Sequence, residues 1–196
     1  LLDSGRTDAV REGIGQVEGL LERMAALTSH LKTFARKSPA GLRQRLSLAE
    51  VLDQALQLLA PRIRSEGVAV MCQMPHQAWV SGDAIRLEQV LINLLTNALD
   101  AMWNAETKAL RILCQPEGDG WTLSVADSGG GIAEEHLDQV FEPFFTTKPV
   151  GQGLGLGLAV SYGIVRDLGG SLSVHNDAQG AVFELHMPAA ESPGAE

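Results

Sequence analysis

The 196-residue chain is poor in cysteine, in positive charge and in long apolar runs, and each shortage excludes something. Its two cysteines, Cys72 and Cys114, both sit in apolar, strand-like stretches. They read as two buried reduced thiols, not as a disulfide or a metal pair. Lys and Arg number 15 against 24 Asp and Glu, a formal net charge of −9. A general nucleic-acid binder needs clustered cations to neutralise phosphates, so that class is excluded, and docking on anionic lipid with it. No stretch approaches the roughly 20 apolar residues that span a bilayer, and no signal peptide is visible. Direct membrane contact is therefore not expected of this chain. It opens at Leu1 without Met, which is expected of an excised fragment whose membrane-spanning part could lie upstream. An apolar share of 45% is ordinary for a globular protein, and the length suffices for one medium domain plus a helical appendage.

From Asp8 to Lys37 the chain predicts one long helix. Val17, Leu20, Met24, Leu27, Leu31 and Phe34 follow alternating three- and four-residue steps, the pattern of a coiled-coil seam. At about 1.5 Å per residue it would be on the order of 40 Å long and would need a partner helix to cover its apolar face. Ser38-Pro39-Ala40-Gly41 breaks it. Ser47 followed by Glu50 predicts a capping box for a helix over Leu48–Arg64. Short strands are expected at Val68–Met74 and Ala78–Val80. Asp83 is placed to cap a helix reaching about Trp103. Paired strands are expected over Ala109–Gln115 and Trp121–Ala126, joined by a turn at Glu117-Gly118-Asp119-Gly120. After a glycine-rich stretch from Asp127 to Gly155 come a helix over Leu156–Leu168 and strands at Ser171–His175 and Ala181–Met187. Residues 189–196 read as a disordered tail. The mixture predicts an α/β fold, a two-layer sandwich with helices over a mixed sheet.

Three patterns carry chemistry because they occur together and in order. Asn93 and Asn97 stand four apart on the helix after Asp83, so both amides project from one face. An amide oxygen is a hard neutral donor that suits Mg²⁺. Asp127-Ser128-Gly129-Gly130-Gly131-Ile132 follows a strand directly. A carboxylate there can accept from an adenine amino group, and Gly129 and Gly131 let the backbone pass close to the ring. Gly151-Gln152-Gly153-Leu154-Gly155-Leu156-Gly157-Leu158 runs into the next helix, whose exposed N–H groups can cradle phosphates. The spacing is neither a dinucleotide fingerprint nor a Walker loop. Between them, Val140 to Lys148 is aromatic, then polar, then basic. It reads as a lid anchored by Phe141, Phe144 or Phe145, with Lys148 reaching a phosphate.

This ordered set resembles the boxes of sensor histidine kinase catalytic domains, within the superfamily shared with DNA gyrase, Hsp90 and MutL. The asparagine helix resembles the N box, Asp127–Gly131 the G1 box, Phe141–Phe145 the F box and Gly151–Gly157 the G2 box. The resemblance covers about Leu48–Pro188 and implies a Bergerat-type ATP-binding fold. It implies that ATP is bound by Asn93, Asn97, Asp127, Gly129, Gly131, Ile132, Phe144, Thr147, Lys148, Gly153, Leu154, Gly155, Leu156 and Gly157, with Asn97 on Mg²⁺. Residues 1–37, with Thr28-Ser29-His30-Leu31-Lys32, resemble the second helix of a dimerisation and phosphotransfer hairpin, joined by a linker and first strand over 38–47. The wording is similar to the C4-dicarboxylate sensor and nitrogen-regulatory branch. The implied partners are the rest of that hairpin, a response-regulator receiver domain and a second copy in a full-length homodimer. The implied setting is the cytoplasm, with the full-length protein anchored in the inner membrane.

Two departures stand out. The family's acceptor is a His followed by an acidic residue, whereas His30, His76, His136, His175 and His186 precede Leu, Gln, Leu, Asn and Met. The chain is therefore expected to bind ATP without phosphorylating itself in the family manner. Ala181 stands where the family often has a hydroxyl that helps bind adenine. Hydrolytic relatives carry a Glu one helical turn before the metal-binding Asn, and here that position is Asn93. This favours phosphoryl transfer over a hydrolytic ATPase; against the other rival, a non-catalytic nucleotide-binding module, stand the intact boxes.

Overall fold

Ser47 ends one element and starts the next. It closes strand β1 (Gln44–Ser47) with extended backbone, and its Oγ accepts from Glu50 N at 3.3 Å to cap helix α1 (Leu48–Ser65). Leu48, Val51, Leu52 and Ala55 are buried at helical spacing on one face of α1. Asp83 does the same for helix α2 (Ala84–Ala101), its Oδ1 accepting from Ile85 N at 3.0 Å and Arg86 N at 3.2 Å. Leu87, Val90, Leu91, Leu94, Leu95, Ala98 and Leu99 form the buried stripe of α2. Helix α3 (Gly157–Asp167) buries Val160, Ser161, Ile164 and Val165. The computed structural model describes residues 43–148 and 154–190. The helix expected over 8–37 lies outside the described residues.

The strands are β2 (Ala69–Gln73), β3 (Trp79–Gly82), β4 (Ala109–Glu117), β5 (Gly120–Ala126), β6 (Ser171–Asn176) and β7 (Ala181–Pro188). Five form a sheet in the order β2-β4-β5-β7-β6, with β2 parallel to β4 and every other pair antiparallel. β1 and β3 pair antiparallel as a separate ribbon. Alternation places Leu110, Ile112, Leu123, Val125, Phe183, Leu185 and Met187 in the core with the helices. Their neighbours Arg111, Gln115, Ser124 and Glu184 fall on the opposite, more polar face. The result is the two-layer α/β arrangement that the pattern predicts. Among the described residues, no helix is long and apolar enough to cross a membrane.

The structure corrects several expectations. Cys72 is exposed while Cys114 is buried. The reason is position: β2 is an edge strand, and all five of its residues are exposed. The turn between β4 and β5 falls at Glu117–Gly120 as expected, with Gly118 (φ +58°) and Asp119 at its centre, while the strands reach further toward it than expected, pairing Glu117 with Gly120. Order also extends past Pro188. Ala189 N donates to Asp119 O at 3.0 Å and Ala190 N to Trp79 O at 2.9 Å, so residues 189 and 190 tie the β3 ribbon to the main sheet.

Two outcomes test this account. Leu95 is fully buried in the α2 stripe, so Leu95→Ala should lower the free energy of unfolding by about 2–5 kcal/mol in a urea titration. Asp177 accepts from Gln179 N, Arg111 and Gly180 N, which together lower its carboxyl pKa from 3.8 to about 2. A depressed carboxylate stabilises the fold above its unfolded value and loses that contribution as pH falls through its folded one. Stability should therefore decline between about pH 4 and pH 2, and Asp177→Asn should flatten that part of the profile.

Candidate functional site

Strand β5 delivers Asp127 into the interior, 2% exposed. Its Oδ1 accepts from Gly129 N at 2.7 Å and from Ala181 N at 3.4 Å, and its own N–H donates to Ala181 O at 3.0 Å. Burial pushes the carboxyl pKa up, and the two backbone donors pull it partly back. Gly180 is required here, because a Cβ would lie 2.3 Å from Asp127 O and 2.5 Å from its Oδ1. Gly129 is tight for a different reason: a Cβ there would lie 2.7 Å from the Ala101 backbone at the end of α2. A Cβ on Gly131, at φ +83°, would meet Asn176 Oδ1 at 2.7 Å. The glycines expected beside a ligand thus also seat the loop against the protein itself.

The β6–β7 turn holds that loop, and the sequence reading did not single it out. Asn176 Oδ1 accepts from Ile132 N at 2.9 Å while its Nδ2 donates to Ile132 O at 2.6 Å, a two-point clamp on the main chain. Gln179 O accepts from Gly130 N at 3.2 Å. Ser128 ties the other side, its Oγ donating to Thr107 O at 2.7 Å and accepting from Ala109 N at 2.9 Å. The run Asn-Asp-Ala-Gln-Gly signals a turn. Its support of a segment 44 residues earlier is a long-range contact that no local pattern carries.

Asn93 and Asn97 are half-buried on α2. Asn93 Nδ2 donates to Ser161 Oγ at 3.0 Å, across to α3. A Cβ on Gly157 would lie 2.4 Å from Asn93 Oδ1, so glycine at the start of α3 makes room for that amide. No side chain among the described residues caps the α3 N-terminus at Leu156. Asn97 Oδ1 faces the Lys148 ammonium at 3.4 Å, and Asp100 Oδ2 accepts from the same nitrogen at 2.5 Å.

Phe141 packs against Tyr162 and Phe183, with ring centroids 5.2 and 6.5 Å apart, and Phe145 packs on His136 at 5.2 Å. Phe144 does not anchor the segment. It is 68% exposed and takes φ +70°, strain for a bulky residue, because its N–H donates to Gly155 O at 2.8 Å. Gly155 itself, at φ +64°, sits so close that a Cβ would lie 2.3 Å from Phe145 O. Thr147 is exposed, Leu154 half-buried and Leu156 buried. Gly153 lies outside the described residues. A cleft of about 720 Å³ lies elsewhere, between Met71, Ala101, Arg111 and the Ser128–Gly130 backbone. Of the expected site residues it touches Gly129 alone.

Residues 82–191 match the family described as histidine kinase-, DNA gyrase B-, and HSP90-like ATPase. The chain belongs to this family. It is 39% identical over 190 residues to the C4-dicarboxylate transport sensor protein DctB of Pseudomonas aeruginosa, covering 95% of this chain and 31% of that protein. Against the protein of the same name in Rhizobium meliloti the identity is 38%, covering 95% of this chain and 30% of the relative. The chain thus spans about a third of the length of these relatives. A nucleotide-free catalytic domain of histidine kinase ThkA superposes with a TM-score of 0.68 at 32% identity, covering 76% of this chain and 96% of that one. ThkA in complex with response regulator protein TrrA gives 0.69 at 27% identity, covering 87% and 49%. The chain carries the catalytic ATP-binding domain of the sensor histidine kinases, on the side of the C4-dicarboxylate sensors.

The clamp gives a direct test. Asn176→Ala removes two bonds worth roughly 1 kcal/mol each, so amide hydrogen exchange at Ile132 should quicken about tenfold or more while β5 stays protected. Unchanged exchange at Ile132 would show that the loop does not depend on Asn176.

Proposed function

We propose that this chain transfers the γ-phosphoryl of ATP to a histidine nitrogen on a hairpin helix lying outside this sequence, for relay to a response-regulator aspartate. The P–O bond to ADP breaks, a P–N bond forms, and ADP leaves. What supports the reading is a set of three unlike groups, each suited to a different need of one nucleotide. Asp127 offers a buried carboxylate to the adenine amino group. The start of α3, uncapped and glycine-lined, offers backbone N–H groups to phosphate. Asn97 of α2 and Lys148 of the segment after Phe145 stand together, an amide oxygen beside an ammonium at 3.4 Å. Ile132, Leu154 and Leu156 supply apolar lining, while Gly153, Phe144 and Thr147 complete the nucleotide set.

The donor set fits Mg²⁺. Asn97 Oδ1 is a hard neutral oxygen already facing a cation, and phosphate with water would complete the shell. The metal would neutralise charge on the transferring group. Asn93, bonded to Ser161, supports the phosphate end and cannot act as a general base. That favours a protein acceptor over water, since phosphoryl transfer rests on positioning and charge neutralisation.

In this reading residues 48–188 form the ATP-binding domain, residues 1–37 the second hairpin helix, and 38–47 the linker with β1. The full-length protein is a homodimer anchored in the inner membrane, with this portion in the cytoplasm facing a receiver domain.

Mg²⁺-ATP at a hundredfold excess over Kd should raise the thermal midpoint by about 5–10 °C. Asp127→Ala and Asn97→Ala should each abolish that shift; retention in both would undo the site. A separately supplied hairpin bearing a His followed by Glu or Asp should gain acid-labile phosphate. Release of inorganic phosphate without phosphohistidine would mark a hydrolytic ATPase instead.

A further inference from the structure

Lys148 belongs to a charged cluster whose other members, Asp100, Arg62 and Glu66, have no part in the reading above. Asp100 lies one residue short of the end of α2 and three residues past Asn97, one helical turn along the same face. Both of its oxygens are engaged, by two different parts of the fold. Oδ1 accepts from Arg62 Nη2 of α1 at 2.7 Å, and Oδ2 accepts from Lys148 Nζ at 2.5 Å. Arg62 is in turn held by Glu66, its Nε at 2.6 Å from Oε1. Two carboxylates and two cations thus balance across α1, α2 and the segment that carries Lys148. Asp100 and Lys148 have side chains about one third exposed, 29% and 33%.

We propose that Asp100 is a positioning residue for Lys148 and an intramolecular rival of the triphosphate for it. The inference rests on the nucleotide reading of the site. Lys148 is the cation assigned to phosphate, yet its ammonium is paired with a carboxylate and lies against the same amide oxygen that suits Mg²⁺. It cannot serve Asp100 and a triphosphate at full strength together. Its departure from Asp100 is inexpensive on two counts. The pair is partly solvated, so its net strength is modest. Arg62 stays on Oδ1, so the carboxylate is not left without a cation. Asp100 thus holds Lys148 at the site while setting a threshold that a ligand must exceed with negative charge. The nucleotide class favoured is the one with the most phosphate charge, ATP over ADP and both over adenosine.

The test is a double-mutant cycle on the whole chain, read by calorimetric titration with Mg²⁺-ATP, Mg²⁺-ADP and adenosine. Asp100→Asn should tighten Mg²⁺-ATP binding about two- to fivefold, tighten Mg²⁺-ADP less, and leave adenosine unchanged. Unchanged adenosine binding also certifies that the variant is folded. In a Lys148→Met background, Asp100→Asn should have no effect on Mg²⁺-ATP. An equal tightening in that background would assign the effect to simple repulsion between Asp100 and phosphate, and would overturn the proposal. So would an unchanged or weaker Mg²⁺-ATP affinity in the single variant. Failure of the unsubstituted chain to bind Mg²⁺-ATP at all would overturn the nucleotide reading itself, a distinguishable result.

Discussion

A carboxylate placed in a protein interior must find donors or neutralise, and Asp127 finds them in the main chain alone. Its Oδ1 takes the N–H of Gly129, two residues on, and that of Ala181 on the neighbouring strand. Both bonds demand backbone at close range, which is why the sequence has glycine at 129 and at 180, where a side chain would collide. The glycine-rich loop is thereby folded back on β5, against the end of α2, and the β6–β7 turn is drawn in behind it. Loop, helix end and turn are therefore tied together around a single buried charge. Any ligand that approaches Asp127 meets a surface already arranged, with little of its binding energy spent on ordering the loop.

How much of this was legible depended on whether a signal was local. Ser47 and Asp83 mark helix starts because capping is a contact over two or three residues, and both caps form as the residue types demand. The α2 stripe from Leu87 to Leu99 follows from one helical period. The core strands show by alternation. What failed was decided by neighbours in space. Cys72 reads as buried because its run is apolar, but a strand at a sheet edge is covered on one side only. Phe144 reads as an anchor beside Phe141 and Phe145, yet Gly155 pulls its backbone into a left-handed turn and leaves the ring outside. Among the site residues, the types and order were visible. The supports were not: Asn176, Ser161 and Asp100 act over 44, 68 and 48 positions in sequence.

A chain with a net charge of −9 must hold an anionic ligand against its own field. The arrangement answers this locally. Fixed partial charges at the start of α3 and the Lys148 ammonium beside α2 lie within a half-buried region, where they are screened less than the surface carboxylates are. The remaining cations near by are already paired with acids, Arg62 with Asp100 and Glu66, Arg86 with Asp167, Arg111 with Asp177. Lys148 is paired as well, but through the more easily exchanged half of a shared carboxylate. Beside Asn97, the Lys148 ammonium is the positive charge within reach, which favours a ligand that presents negative charge there.

Asn93 shows what kind of chemistry such a site can support. Its amide bridges α2 to Ser161 of α3 and fills the space that Gly157 leaves open. An amide neither accepts a proton at neutral pH nor orients water as a carboxylate does, so at this position it contributes geometry alone. A site equipped to hold a nucleotide, with only geometry where a base could stand, works by presenting the terminal phosphoryl to a nucleophile that brings its own lone pair. A neutral imidazole nitrogen meets that requirement without deprotonation, while a water molecule does not. The same amide also braces α2 against α3, so a position where a hydrolytic site would hold a base serves here as a structural tie between two helices.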